Sequence, residues 1–148
     1  NAQVNASNIG YHTIRNYKNF NTLIINEKEI RHEMRDKISK LENLMSNLSK
    51  EKNINNLIVT MGKSGSILYN KVQNKFFYSE AYAHKIVDKV GAGDTMLSII
   101  GPCLKSKLEI DITLLISSLA AAQSVETMGN TPISADALCN YLNEVLPA

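Results

Sequence analysis

The chain has 148 residues, 44% of them hydrophobic, and its 16 basic and 14 acidic side chains leave a net charge of +2, enough for one ordinary domain or part of one. No basic cluster is interleaved with aromatics, which excludes a nucleic-acid surface, and Cys103 and Cys139 have neither metal-ligand spacing nor the density of a disulfide framework, which points to a reduced, cytoplasmic setting. The longest apolar run, 114–125, is interrupted by Ser117, Ser118, Gln123 and Ser124, so neither a membrane span nor a signal peptide is expected.

In chain order, the amide-rich residues 1–8 begin without an initiator methionine and read as the middle of something longer. Residues 9–17 are predicted helical, and 21–25 form a short apolar run with the branching of a buried strand, which Asn26 ends. Helices are predicted over 27–34 and 38–48, the second with Ile38, Leu41, Leu44, Met45 and Leu48 on one face. Another buried-type strand covers 56–60. After Gly62-Lys63-Ser64-Gly65 the runs 66–69 and 75–78, separated by a polar turn, predict a hairpin or meander. His84 falls on a predicted strand, His12 and His32 on helices, and none has partners at ligand spacing. Tyr78 and Tyr82 are expected to pack on the sheet. The last third reads as helices over 94–104, 111–128 and 134–146, with Asp111 and Ser134 as N-caps and Gly129 as a stop. The strand–helix–strand order at the front implies a parallel α/β sheet, made mixed by the meander.

Two glycine motifs are decoys. Gly62-Lys63-Ser64 resembles the end of a Walker A loop, but its first glycine would fall at Leu57, inside a strand. Gly91-Ala92-Gly93 resembles the start of a dinucleotide fingerprint, but the third glycine would fall at Met96. The sequons at Asn5 and Asn47 are read as chance.

The most informative stretch is 87–96, where Gly91-Ala92-Gly93-Asp94 stands between a predicted strand and a predicted helix. Successive N–H groups there can turn toward one anion, and the dipole of the following helix favours negative charge at the same spot. A carboxylate at Asp94 is out of place in an anion site unless it takes a proton, a combination that suggests phosphoryl transfer to a hydroxyl. The same residues also suit an ordinary loop in which Asp94 caps a helix.

Several ordered motifs together resemble the ribokinase-like, or PfkB, family of sugar and nucleoside kinases. Asp88 with Gly91-Ala92-Gly93-Asp94 is similar to the family's C-terminal signature, Thr60, Gly62 and Gly65 to its Thr-x-Gly-x-x-Gly segment, and Asn26 with Glu29 to its Asn-x-x-Glu motif; Ala120-Ala121-Ala122 to Gly129 is similar to its final helix and turn. Residues 88–94 and 119–122 look most like the heptose 7-phosphate kinase branch. The resemblance covers nearly the whole chain, but only the C-terminal half of a family domain, and implies a ribokinase-like three-layer α/β fold with parallel strands, a β-meander and C-terminal helices.

The resemblance also implies an activity: ATP-dependent phosphoryl transfer to a sugar or sugar phosphate. Asp94 would be the base and Gly91, Ala92 and Gly93 the anion hole; Thr60, Gly62 and Gly65 would approach the nucleotide phosphates. Asn26 and Glu29 would hold Mg2+ through water, their alternative use being a solvated helix start. Asp88 and the Val90 carbonyl match positions where some relatives bind a monovalent cation such as K+. Ser118 stands where relatives carry an Asn near the adenine, Lys89 where many have Thr, and Ile99 where a small residue is usual. The sugar pocket and the lid, through which such kinases form homodimers, belong to an N-terminal half with no counterpart in 1–148, so the fragment alone is expected to be inactive. A noncatalytic nucleotide-binding or assembly module is the alternative.

Overall fold

The computed structural model describes residues 13–88, 90–129 and 132–145. These fall into two compact units, Asn1–Tyr78 and Ser79–Ala148.

The first unit is built on a four-stranded sheet in the order β1 (Thr22–Asn26), β2 (Asn56–Thr60), β3 (Ser66–Asn70) and β4 (Lys75–Ser79). β1 and β2 run parallel, with Leu23 opposite Leu57 and Asn26 opposite Thr60, whereas β2 and β3 are antiparallel. Two helices, α1 (Glu27–Glu33) and α2 (Leu41–Lys52), connect the parallel pair. Side chains alternate along a strand, so Leu23, Ile25, Leu57, Val59, Ile67 and Tyr69 share one face and form a single cluster with Ile30, Leu41, Leu44, Met45 and Leu48. Ile24, Ile58 and Leu68, register partners on the opposite face, are buried as well. Burial on both faces is why these strands read as continuous apolar runs, and each such side chain contributes roughly 1.5–3 kcal/mol.

Buried polar side chains around β2 find partners within this unit. Asn70 Nδ2 donates to Asn56 Oδ1 at 2.8 Å across the β2–β3 register, and Ser49 Oγ donates to Ile54 O at 2.6 Å where α2 hands over to β2. Asn53 closes α2 at φ 56, a left-handed conformation asparagine tolerates better than most residues.

The expected helix over 38–48 begins later, at Leu41, and Ile38 is not on its buried face but 96% exposed. The cause is a local turn: Ser39 N and Ile38 N both donate to Asp36 Oδ1 at 2.9 Å. Hydrogen bonds from the Ser39 side chain and backbone, then from Ile38, hold the Asp36 carboxyl down at about 2. Of the helix expected over 9–17, the described part forms only a 3-10 turn, Ile14–Asn16; His12 lies outside the described residues.

The second unit packs α3 (Ala92–Lys105), α4 (Ile110–Glu126) and α5 (Ala135–Val145). Leu119, Ala122 and Tyr141 form its buried centre, joined by Tyr82, Leu115 and Leu138. Tyr82 therefore packs in this helical cluster, and Tyr78, expected to pack on the sheet, is exposed, its hydroxyl 3.3 Å from Glu42 Oε1. His84 lies in a bend, not a strand, and His32 is exposed on α1. Ser134 Oγ accepts from Ala137 N at 3.1 Å and so caps α5, but Asp111 does not cap α4: Glu109 is the N-cap and Asp111 the second helical residue, after Ile110. α4 stops at Glu126 because Thr127 turns extended, before Gly129 is reached. Among the described residues no helix is long and apolar enough to cross a membrane.

Leu48→Ala, which empties a fully buried site, is expected to lower the unfolding free energy by about 2–5 kcal/mol in urea titrations. Ile38→Ala should change it by no more than about 0.5 kcal/mol; a large loss there would contradict the exposed turn.

Candidate active site

In the first unit the parallel register brings two of the motifs to one edge of the sheet. Asn26 ends β1 directly opposite Thr60, which ends β2, and the carboxyl ends of parallel strands are where open α/β sheets take ligands. Asn26 is also the N-cap of α1: its Oδ1 accepts from Glu29 N at 2.9 Å, and Glu29 Oε2 accepts from Asn26 N at 2.8 Å. The pair thus forms a capping box. It is not a solvated helix start, since Glu29 is only 8% exposed. Hard oxygen donors of this kind suit a hydrated magnesium ion. Among the described residues no group of three or more His, Cys, Asp or Glu is placed to hold a metal ion.

Beyond Thr60 the chain closes a small loop. Met61 N donates to Gly65 O at 2.8 Å around a 3-10 turn, Gly62–Ser64. Gly62 (φ 60) and Gly65 (φ 82) both take left-handed conformations that favour glycine. A Cβ placed on Gly62 would meet nothing within 4 Å, so a ligand can approach this backbone closely.

The second unit holds the other motif. Val87 N and Asp88 N donate to Val125 O, at 2.8 and 3.1 Å, fixing the entry to the glycine loop on the last turn of α4. Asp88 Oδ1 accepts from Val90 N at 2.9 Å. Gly91 then turns left-handed (φ 88) and serves as the N-cap of α3, without a side chain to cap it. The helix begins at Ala92, two residues earlier than expected, so Ala92, Gly93 and Asp94 are its first three residues and Asp94 is not a cap. Thr95 N to Gly91 O, 2.8 Å, is the first helical bond, so the N–H groups of Ala92 and Gly93 precede it at the positive end of the dipole. Asp94 is exposed in the same turn. Thr95 Oγ1 lies 3.2 Å from Ser124 Oγ, tying α3 to α4. Ser118 is largely buried within α4; Lys89 lies outside the described residues.

Sequence reasoning overlooked Glu126. Its Oε1 accepts from His84 N at 2.5 Å and from Lys85 N at 3.4 Å, with the Tyr141 hydroxyl 3.4 Å away. No motif marks it, because its partners are backbone groups some 40 residues upstream. Burial, reinforced by the Glu126 carboxylate, pushes the Tyr141 phenol up to about 12.

The sequence profile of the pfkB family carbohydrate kinase matches residues 11–137. The bifunctional protein HldE of Campylobacter concisus (strain 13826) is 32% identical over 130 residues, 86% of this chain and 27% of that protein. Ribokinase from Thermotoga maritima superposes with a TM-score of 0.72 at 24% identity, over 83% of this chain and 42% of that one. Phosphofructokinase-2 from Escherichia coli in complex with potassium gives 0.74 at 14% identity, over 86% and 42%. The fold is thus ribokinase-like α/β, and the chain spans about a quarter of the length of the curated relatives it matches.

Tyr141 supplies a pH signature. Its folded value lies above the ordinary 10, so its contribution to stability is whole below pH 10 and is lost as pH rises toward 12, where the unfolded chain gives up the proton first. Unfolding midpoints measured across pH 9–12 should fall more steeply for the wild type than for Tyr141→Phe; parallel curves would remove the phenol from the balance.

Proposed function

Because the chain belongs to the pfkB family of carbohydrate kinases, we propose that it carries out ATP-dependent phosphoryl transfer to a hydroxyl of a sugar or sugar phosphate, heptose 7-phosphate in particular. The resemblance of residues 88–94 and 119–122 to the heptose 7-phosphate kinase branch supports that acceptor. On this reading residues 1–148 are the C-terminal, nucleotide-side part of a single kinase domain whose N-terminal half supplies most of the sugar pocket. One observation carries the proposal: the left-handed Gly91 opens α3 so that the Ala92 and Gly93 N–H groups lie ahead of its first hydrogen bond, with a carboxylate in the same turn.

The chemistry follows from charge. In phosphoryl transfer the protein mostly positions the reactants and neutralises charge developing on the equatorial oxygens. Backbone N–H groups of the Gly91-Ala92-Gly93 turn meet that charge without reorganising. As the acceptor oxygen bonds to the γ-phosphorus and the bridge to the β-phosphate breaks, the hydroxyl proton passes to Asp94, and ADP leaves with the electron pair of the broken bond. Thr60, Gly62 and Gly65 receive the nucleotide phosphates, at a turn where two glycines take positive φ and the space beside Gly62 is open. Asn26 and Glu29 would hold hydrated magnesium, which supplies charge neutralisation on the phosphate oxygens. Ser118 takes the adenine-side position on α4. Asp88 serves a monovalent cation such as potassium, the ion in complex with the E. coli phosphofructokinase-2 that shares this fold.

The decisive variant is Asp94→Asn in the full-length protein. It should lower kcat by roughly 10²–10⁴-fold while leaving nucleotide binding intact. The assay is a phosphotransfer screen with heptose 7-phosphate, fructose phosphates, ribose and adenosine. Retained turnover would remove the base; no product with any acceptor would favour a noncatalytic nucleotide-binding module.

A further inference from the structure

The segment entering the glycine loop is held almost wholly by the end of another helix. Four backbone N–H groups within 84–88 end on the last two residues of α4: His84 and Lys85 on the Glu126 carboxylate, Val87 and Asp88 on the Val125 carbonyl. The carbonyl is an ordinary use of a helix C-terminus, whose last C=O groups lack helical partners. The carboxylate is not. A negative charge at that end of α4 opposes the helix dipole, so something else must favour it. Here the compensation is charge-assisted hydrogen bonding to two successive amides.

Tyr141 braces the arrangement from α5. Its hydroxyl has one proton and two acceptors in reach, Tyr82 O at 3.1 Å and Glu126 Oε1 at 3.4 Å. Tyr141 is 7% exposed and packs with Leu119 and Ala122, so the hydroxyl is delivered from a buried base. Residues 82, 84 and 85 are thereby fixed to α4 and α5 immediately before the turn at Asp88.

We propose that Glu126, braced by Tyr141, is a positioning residue for the glycine loop, setting where the Gly91–Gly93 N–H groups and Asp94 stand relative to the transferring phosphoryl group. This rests on the kinase reading above. Neither residue touches the reactants; both act through residues 82–88. Misplacing catalytic groups by about 1 Å can cost about 10²-fold in rate, so a distant anchor can matter to chemistry.

The test uses Glu126→Ala, Glu126→Gln and Tyr141→Phe in the full-length protein. Hydrogen–deuterium exchange reads the amides of 84–88, and steady-state kinetics separate kcat from the nucleotide KM. Glu126→Ala should speed exchange at 84–88 about tenfold or more and lower kcat about 10- to 100-fold, with the nucleotide KM held, since the Thr60–Gly65 loop is untouched. Glu126→Gln keeps an oxygen acceptor and should restore most of both. Tyr141→Phe, which removes only a hydroxyl, should give the same pattern in weaker form and carries the test if the Ala variant does not fold. Unchanged exchange, or faster exchange with unchanged kcat, in the folded variant would overturn the anchor; so would a Gln variant as impaired as Ala. A wild type without turnover on any acceptor overturns the kinase reading instead, whereas equal turnover in wild type and variant overturns the anchor alone.

Discussion

Strands and helices leave unpaired backbone groups at their ends, and the need to satisfy them shapes both units. The last four carbonyls of a helix and its first four N–H groups have no helical partner, and burying one unpaired costs about 1–3 kcal/mol. In the first unit Asn26 and Glu29 meet this demand reciprocally at the start of α1. In the second, the end of α4 meets it by accepting the backbone of 84–88, and Ser134 does so for α5. The starts of α2, α3 and α4 have no side-chain cap, and at α3 the N-cap residue, Gly91, has no side chain to offer. An uncapped, dipole-favoured N-terminus is suited to a ligand's negative charge for the same reason that it is poorly suited to standing alone.

The parallel pairing of β1 with β2 has a comparable consequence for the first unit. With Leu23, Ile25, Leu57 and Val59 packed on one face and Ile24 and Ile58 buried on the other, a one-residue slip would exchange the two faces of the pair. The register is therefore strongly specified by packing, and Asn26 and Thr60 arrive side by side as a by-product of it. Apolar side chains that touch no ligand thus decide where two polar motifs meet.

Glu29 has a structural role that the structure shows and a proposed one that would use the same geometry. Its carboxylate completes a capping box, which by itself explains an Asn-x-x-Glu pattern at a helix start. The same interaction holds a buried carboxylate at the carboxyl edge of the sheet in a set orientation, which is what a water-mediated metal site requires. On the proposed magnesium role, stability and function would draw on the same hydrogen bonds.

Periodicity and breakers in the chain were enough for the four strands, their mixed character and the three C-terminal helices, because apolar runs and turn residues act over a few neighbours. The glycine motifs at Thr60–Gly65 and Gly91–Asp94 were legible for a similar reason: left-handed φ at Gly62, Gly65 and Gly91 is a local demand that glycine meets. Ile38 leaves its expected apolar face for an equally local reason, the turn in which Asp36 accepts from Ile38 and Ser39, which apolar periodicity passes over. α3 starts at Ala92, which places Asp94 inside the first turn rather than at the cap. Tertiary structure alone recruited Glu126 and Tyr141, which carry no motif, through bonds to residues some 40 to 60 positions away. Local propensity is written in adjacent residues; which helix end accepts a distant backbone depends on how whole elements pack, and no short window of sequence contains that.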